Sequence, residues 1–545
     1  MGTATAAPVP DVPARPQVRP GIELIAPENG ERAWTAADHD SGRFTRLGAG
    51  AATLLQGLDG SRDLDRLRAD LAPSVPAEVL DTALRRFTDL GLLTGTAPEG
   101  PGNGRFQYRR PAALQFTVFR RPGFLAPGRP LPRLMANRVS TALCGAAVFA
   151  GLAVVLSGAV RISEAAWRPQ PWQYWAIAMG VVIAVNGLHE LAHGACLARY
   201  GGHARRIGVM LLYLTPAMFC DVTDVWRLRD RRQRVMVALA GVTCQLGCAG
   251  VLALGSAVTA GAACDLLGVC ATMTTFAGLF NLLPFIKLDG YIALMAWVDI
   301  PNLREKSMAD VRALAGWVAF GGPRPARTLA DGWAVYGAVC LLFPWLLLGN
   351  LLIAGRAALI GFGPMGALSW LCLLAALALH VAVRLFHAYR ASGARTPLRG
   401  LLALGAGAAV LAGLAHARPY TETEYGAYTV TGDGVRLLLP DAPGVRAPQP
   451  GGEVSLTHLG ILGRQPVGTA VTGTSMGTET VPAEPFLPVT GIPGSLSTKV
   501  YTLSRPTGAE PGDQGMAVVA TGSTDLLTHL ARAAVLDPWR LVVGG

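Results

Sequence analysis

Seven apolar segments, each close to the length of a membrane-crossing helix, constrain this chain more than any other feature. They are 139–160, 172–198, 235–258, 266–286, 333–354, 364–386 and 398–416. About 20 apolar residues are needed to cross the hydrocarbon core of a bilayer as a helix. The composition agrees, because 51% of the 545 residues are hydrophobic and only 15% are charged. We therefore predict a mainly α polytopic membrane protein with about seven spans, surrounded by membrane lipid.

The basic residues of the chain lie mostly in the loops between these segments. Lys and Arg number 47 against 36 Asp and Glu, and the net charge is +11. Loops 199–234 and 287–332 are rich in basic residues, whereas loops 259–265 and 355–363 are poor. Because loops rich in Lys and Arg stay in the cytoplasm, this alternation predicts a cell-membrane protein with a cytoplasmic N-terminus and an extracytoplasmic C-terminus. Topology accounts for the charge, so we expect no nucleic-acid partner.

One further apolar stretch, residues 207–220, differs from the seven segments. It is too short to cross a membrane, and Pro216 interrupts it. Non-helical backbone is tolerated at membrane depth only where protein or a water-lined cavity covers it. We therefore predict one re-entrant segment or strand-like hairpin that lies against the helices.

Composition divides the chain into five parts. They are a disordered leader at 1–21, an N-terminal domain at 22–95, a basic linker at 96–138, the membrane domain at 139–416 and a C-terminal domain at 417–545. In the N-terminal domain, short extended segments precede helical segments near 50–58, 63–72 and 76–91, which predicts a winged-helix-like α+β fold. Alternating apolar residues predict a β-rich C-terminal domain, with one helix near 524–535 and a last strand near 539–543.

The second apolar segment carries the string His189-Glu190-Leu191-Ala192-His193. Residues four apart share one face of a helix, so His189 and His193 can bind one metal ion together. Glu190 is placed where a carboxylate can act as a base on water at such an ion. Polar side chains are costly inside a membrane helix and therefore indicate function. A structural metal site and a polar relay for transport are the alternatives to catalysis.

A catalytic zinc ion normally takes three protein ligands, so the two histidines need a third. The downstream candidates are Asp221, Asp224, Asp265 and Asp289. The topology places Asp265 on the opposite side of the membrane from the histidines. Asp289 follows the fourth segment on their own side, which favours it as the third ligand. Asp221 and Asp224 adjoin the re-entrant segment, and substrate-facing, structural and solvated roles remain open for both.

A second motif surrounds the favoured aspartate. Residues 281–290 read Asn-Leu-Leu-Pro-Phe-Ile-Lys-Leu-Asp-Gly, which is the pattern NxxPxxxxDG. Together with HExxH in a membrane helix, this pattern resembles the paired motifs of the site-2 protease class of intramembrane zinc metallopeptidases. The resemblance covers about residues 172–300. One departure is Tyr291, where many members have a second glycine.

The resemblance implies a role for each matching residue. His189, His193 and Asp289 would be the ligands of Zn²⁺, and Glu190 would be the general base. Asn281 would help to hold the substrate strand or the developing oxyanion. Asp221 is a further candidate for substrate binding, because it lies at the edge of the re-entrant segment.

The N-terminal domain has a resemblance of its own. Its strands and three helices end in Phe87-Thr88-Asp89-Leu90-Gly91-Leu92-Leu93 and look like the PqqD-like peptide-recognition domains of ribosomal-peptide natural-product pathways. Such domains bind a leader peptide as an added β-strand. A generic winged helix that binds DNA or another protein is the alternative. The whole layout is similar to membrane proteases of natural-product gene clusters, including those for daptide-type peptides.

The sequence therefore predicts a membrane zinc endopeptidase that cleaves a precursor peptide, with the leader captured by the N-terminal domain. Two other functions remain open. One is regulated intramembrane proteolysis of a membrane-bound regulator, which uses the same chemistry on a different substrate. The other is a transporter or immunity protein without proteolytic activity.

Overall fold

A computed structural model gives the fold of the protein. It describes residues 12–26, 33–38, 44–71, 75–95, 106–109, 113–157, 170–212, 215–326, 328–330, 332–394, 397–442, 445–460, 463–487, 489–491, 493–508 and 512–543. The chain forms two compact units. The first comprises Met1–Ala153, Met179–Leu254 and Met273–Pro301, and the second comprises Val154–Ala178, Gly255–Thr272 and Asn302–Gly545.

The N-terminal domain consists of three antiparallel strands followed by three helices, as the sequence predicts. They are β1 (Ile22–Ile25), β2 (Ala33–Asp38), β3 (Phe44–Gly48), α1 (Ala49–Gln56), α2 (Leu64–Leu71) and α3 (Ala77–Asp89). The strands pair in the order β1–β2–β3. Leu80, Leu84 and Phe87 recur at helical spacing on α3 and are buried against Leu47 and Leu55. This shared apolar core holds the helices on the sheet.

Residues 96–138, expected to be a linker, contain regular structure in their described part. They form β4 (Phe106–Arg109), β5 (Ala113–Arg120) and the short helix α4 (Pro130–Met135). The stretch 207–220 forms the expected hairpin, as strands β7 (Arg206–Leu212) and β8 (Thr215–Cys220). These strands join one antiparallel sheet in the order β4–β5–β7–β8. The sequence analysis did not predict β5, because β5 pairs with β7, which is distant in sequence. Local residue patterns do not show which distant strand will be a partner.

Nine helices follow in the described membrane region and its loops. They are α5 (Arg138–Ser157), α6 (Trp172–Arg199), α7 (Arg231–Val258), α8 (Ala262–Asn281), α9 (Asp289–Val298), α10 (Leu303–Phe320), α11 (Gly332–Ile360), α12 (Gly363–Ser392) and α13 (Leu398–Ala417). Six of them, α6, α7, α8, α11, α12 and α13, are long and apolar enough to cross a membrane. This confirms a helical membrane protein. The apolar part of α5, Arg138–Val154, is shorter, and residues 158–160 lie outside the described residues.

The fourth predicted segment, 266–286, ends earlier than expected. Its helix α8 stops at Asn281, and the chain forms a turn before α9 begins at Asp289. Pro284 lacks the backbone N–H that a continuing helix would need, which explains the break. The loop 287–332 therefore holds two helices, α9 and α10, that apolar length alone does not predict.

The C-terminal domain is a closed antiparallel β-barrel. Its strands are β9 (Pro419–Thr431), β10 (Gly434–Pro440), β11 (Glu453–Gly460), β12 (Gly463–Pro482), β14 (Ser495–Leu503) and β16 (Gln514–Asp525). The order is β11–β16–β9–β10–β14–β12, and β12 pairs back onto β11. Tyr428, Leu437, Val454, Leu456 and Val519 fill the interior. Three further strands are short: β15 (Thr507–Gly508) joins β12, and β13 (Val489–Thr490) pairs with β6 (Gln170–Pro171).

The end of the chain corrects one prediction. The helix expected near 524–535 is present and begins as α14 (Leu526–Ala531). The strand expected near 539–543 is instead a helix, α15 (Asp537–Val543), which packs against α12. The backbone of this segment is satisfied by the hydrogen bonds of the helix, and its side chains gain burial against α12.

Buried charges connect the N-terminal domain to the helices of the first unit. Asp299, just after α9, accepts hydrogen bonds from Arg46 on β3 and from Arg234 on α7, the latter at 3.3 Å. The side chain of Arg234 is 1% exposed and that of Asp299 is 17% exposed. A second, more exposed pair joins Arg227 to Glu23 of β1 at 3.3 Å. The three-stranded sheet is therefore held beside α7 and α9.

We expect Asp299→Ala to loosen this attachment. Removing the shared acceptor leaves two guanidinium groups in a poorly solvated place, which costs about 3–5 kcal/mol for buried pairs. Hydrogen–deuterium exchange of the purified full chain should show faster exchange in β3 and α9. Asp65→Ala is the matched control, because Asp65 is an exposed acid paired with Arg68 on the domain surface. Equal exchange in the two variants would contradict the expectation.

Candidate metal centre

The site contains two histidines from one face of a helix. His189 and His193 lie one turn apart on α6, and both are buried, at 3% and 5% exposure. Their Nε2 atoms are 3.1 Å apart. The apolar sequence of α6 makes the helix, and the spacing of four residues brings the two rings together as predicted.

Asp289 completes the cluster from the start of α9. Its Oδ2 lies 2.9 Å from Nε2 of His189 and 3.4 Å from Nε2 of His193. The three ligand atoms lie within 4.8 Å of one another, and no other such group of His, Cys, Asp or Glu occurs among the described residues. The structure thus brings together the three residues that the sequence pointed to. The early end of α8 makes this possible, because the turn after Asn281 carries Asp289 back to the histidines.

Hydrogen bonds set the orientation of both rings. Nδ1 of His189 lies 3.1 Å from Oε1 of Gln245, and Nδ1 of His193 lies 2.7 Å from the carbonyl oxygen of Val237. With Nδ1–H donating to these oxygens, each Nε2 is left as a lone-pair donor facing Asp289. Gln245 Oε1 also accepts a hydrogen bond from Nδ2 of Asn281 at 3.1 Å. One amide oxygen on α7 therefore connects a candidate ligand to the asparagine of the second motif.

Gly241 of α7 lies directly beside the two histidine rings. A Cβ added to Gly241 of α7 would lie 2.4 Å from Nε2 of His193 and 2.7 Å from Nε2 of His189. These distances are too short for any side chain, so only glycine fits beside the two nitrogens. Two imidazoles and one carboxylate are a donor set that suits zinc. The residues present therefore fit a zinc ion.

The hairpin strand β8 lies against the face of α6 that carries Glu190. Gly187 and Gly194, one turn to either side, allow close approach, because added Cβ atoms would meet Met218 and Cys220 at 2.9 and 3.2 Å. At this contact the backbone N–H of Cys220 donates to Oε2 of Glu190, 2.7 Å away. Glu190 is thereby fixed beside His193 and Asp289, at the wall of a cavity of about 120 Å³.

The two acids of the hairpin have structural contacts. Asp221 accepts hydrogen bonds from Arg206, at 3.0 Å, and from Thr223. Burial alone would raise the pKa of Asp221, but the hydrogen bonds from Thr223 and Arg206 lower it below the ordinary value. Asp224 accepts from the backbone N–H of His203 at 2.9 Å. Of the roles left open for these residues, the contacts favour the structural one, which closes the base of the β7–β8 hairpin.

Two residues of the centre, Gly241 and Gln245, were not predicted. Both belong to α7 and approach the histidines only in the folded protein. A signal was present in the sequence, since Gln245 is a polar side chain inside an apolar segment, where such residues indicate function. The neighbouring sequence does not, however, show which polar group Gln245 contacts.

Comparison with protein-family models, with curated proteins and with solved structures gives no match. What this centre can do therefore follows from its own residues and their surroundings.

We expect Gly241→Ala to prevent metal binding. The added methyl group would occupy the space beside both Nε2 atoms, so the purified variant should contain far less zinc than the wild type by elemental mass spectrometry. Gly180→Ala is the control, because a Cβ at Gly180 of α6 meets no atom within 4 Å. Full zinc content in Gly241→Ala would contradict this assignment of the ion's place.

We also expect Gln245→Leu to weaken zinc binding by about 10–100-fold, the usual effect of removing a hydrogen-bond partner of a ligating histidine. Gln245→Glu keeps an acceptor oxygen for Nδ1 of His189 and should retain most of the affinity. Competition with a chelator of known affinity measures both. Similar affinities for the leucine and glutamate variants would show that the hydrogen bond has no such role.

Proposed function

We propose that the protein is an intramembrane zinc endopeptidase that cleaves a precursor peptide, removing its leader in the maturation of a ribosomally made natural product. The observation that carries the proposal is the position of Glu190. This carboxylate borders a cavity, lies beside three converging donor atoms and is held by the end of a strand. A structural metal site needs no base at a cavity, and a polar relay needs no convergence of three metal-ligand atoms beside that base.

In this proposal His189, His193 and Asp289 hold the zinc ion. When bound, zinc supplies Lewis acidity that activates water and polarises a carbonyl group. Glu190 takes the proton of the attacking water and delivers it to the amine that leaves when the peptide bond breaks. Asn281 donates one amide hydrogen to Gln245, and its second amide hydrogen is available for the oxyanion that develops on the scissile carbonyl.

The peptide must be extended where it is cut, because helical hydrogen bonds would shield its carbonyl groups. Strand β8 supports binding in that form. It is the last strand of the β4–β5–β7–β8 sheet, and no strand pairs with its other edge among the described residues. An extended segment can add to such an edge by backbone hydrogen bonds. Because β8 ends at Cys220, beside Glu190, a peptide paired with it would run toward the base.

The N-terminal domain would supply the recognition of the leader. Its three-stranded sheet supports this proposal, because a PqqD-like domain would bind the leader as an extra strand. The hydrogen bond from Arg46 to Asp299 holds this sheet close to α9, whose first residue is Asp289. Leader capture and cleavage would then occur on one side, which we take to be the cytoplasmic side from the basic loops. A daptide-type precursor is the substrate that the whole layout favours.

The test uses the purified full chain in lipid nanodiscs and the short peptides encoded beside its gene, with products read by mass. We expect Glu190→Gln to slow cleavage by about 10²–10⁴-fold, since it removes the general base. Zinc content and peptide binding should stay unchanged. Asp265→Asn, at the start of α8, is the control and should cleave normally. Cleavage by Glu190→Gln at the wild-type rate would refute a protease that works through this residue.

A further inference from the structure

The cavity beside the candidate metal centre is lined by two unlike sets of residues. Glu190, His193 and Asp289 form one of them. The other is aliphatic and consists of Val222, Val225, Val237, Ala238 and Ile292, which come from the chain after β8 and from α7 and α9. Any group in this cavity therefore lies near both the proposed reacting centre and several aliphatic side chains.

The size of the cavity limits what it can hold. Its volume of about 120 Å³ is well below the roughly 300–1,000 Å³ of pockets for whole small-molecule ligands. An apolar cavity of about 150 Å³ holds a single benzene molecule. The space is therefore right for one side chain of modest size, and too small for a cofactor or a bulky indole ring.

The charges at the cavity do not offer a partner for a charged side chain. Glu190 and Asp289 belong to the centre itself. Arg234 also borders the cavity, but its guanidinium already donates to the carbonyl oxygen of Leu228 at 2.9 Å and to Asp299. An ion placed against the valines would lose hydration without gaining a counter-ion, which is strongly unfavourable. An uncharged aliphatic side chain has no charge to desolvate there, and the burial of its apolar surface makes binding more favourable.

The position of Cys220 connects this cavity to the edge strand. Cys220 borders the cavity, ends β8 and hydrogen-bonds to Glu190. Successive side chains of an extended peptide point to opposite sides. A peptide that adds to β8 and presents its scissile carbonyl beside Glu190 can therefore place only one of its two flanking side chains in the cavity.

We infer that this cavity is the specificity subsite of the enzyme, and that it receives one uncharged aliphatic side chain, of alanine to leucine size, from a residue adjoining the scissile bond. This inference rests on the proposed peptidase function. It adds the substrate class: precursor peptides cut next to a small or medium aliphatic residue, with charged and large aromatic residues excluded at that one position.

Ala238 offers the sharpest test, because it lines the cavity and is 6% exposed. Ala238→Leu would fill the cavity, and Ala238→Gly would enlarge it. The probe is a digest of unrelated cytosolic proteins, whose many peptides present every residue type to the purified full chain. Mass spectrometry of the products gives the residue preference on each side of the cut, counting only cuts that Glu190→Gln abolishes.

The wild type should prefer Ala, Val or Leu on one side of the cut. Ala238→Leu should shift that preference to Gly and Ala, with leucine disfavoured about 10–200-fold relative to alanine, the range for small size changes in apolar pockets. Ala238→Gly should shift the preference toward larger residues and allow cleavage next to Phe. The control, Met236→Leu, changes a residue of the same helix that is 50% exposed, and should keep the wild-type preference.

Unchanged preference in both Ala238 variants, with Glu190-dependent cleavage intact, would overturn the subsite and leave the proposed function standing. Absence of any Glu190-dependent cleavage would overturn the proposed function, and the subsite with it. A measurement without turnover completes the test. A peptide that the wild type cuts, carrying photoreactive leucine at the aliphatic position, should crosslink in Glu190→Gln protein to the segment containing Val225 or to that containing Val237. Crosslinks only to other segments would refute the placement.

Discussion

The need to satisfy buried polar groups among apolar helices governs the architecture of the first unit. His189 and His193 are nearly inaccessible on a helix long enough to cross a membrane, and each ring needs partners for both nitrogens. Gln245 and the Val237 carbonyl serve the Nδ1 atoms, and Asp289 faces the Nε2 atoms. These partners come from α7 and α9. The two histidines, the acceptors of their Nδ1 atoms and Asp289 therefore bring α6, α7 and α9 together, and Gly241 lets α7 lie close to both Nε2 atoms.

A second face of helix α6 contacts strand β8. Gly187 and Gly194 let β8 approach, and Glu190 between them accepts the hydrogen bond that ends the strand. Glu190, the donor cluster and the strand edge are thus arranged by neighbouring faces of one helix. The remainder of the β4–β5–β7–β8 sheet supports that edge from behind. Among the described residues no strand pairs with the outer edge of β8, whereas the six main strands of the C-terminal domain pair around a closed barrel.

Asp299 extends this organisation to the N-terminal domain. It lies one helix length after Asp289 and accepts hydrogen bonds from Arg234, at the cavity, and from Arg46, on the three-stranded sheet. A single carboxylate is therefore shared by a guanidinium that borders the cavity and by one from the proposed recognition domain. Removing either guanidinium would leave the other to balance the acid, so the attachment of the domain and the electrostatics of the cavity are physically coupled.

The sequence by itself determined the features that depend on local periodicity: the apolar helices, the three strands and three helices of the N-terminal domain, and the His189–Glu190–His193 face. It also pointed to Asp289, because topology narrows the choice among few acids. Only the tertiary structure decided which distant segments meet. Gly241 and Gln245 belong to the site only because α7 packs against α6, and β5 is a strand because it pairs with β7. The aliphatic residues of the cavity come from three separate segments. The helix at Asp537–Val543 shows the same limit, since its packing against α12 outweighed a short strand-like pattern. Local patterns indicate the preferred backbone conformation of a segment and which of its side chains are buried. Contacts between remote residues arise from packing, and no single segment encodes them.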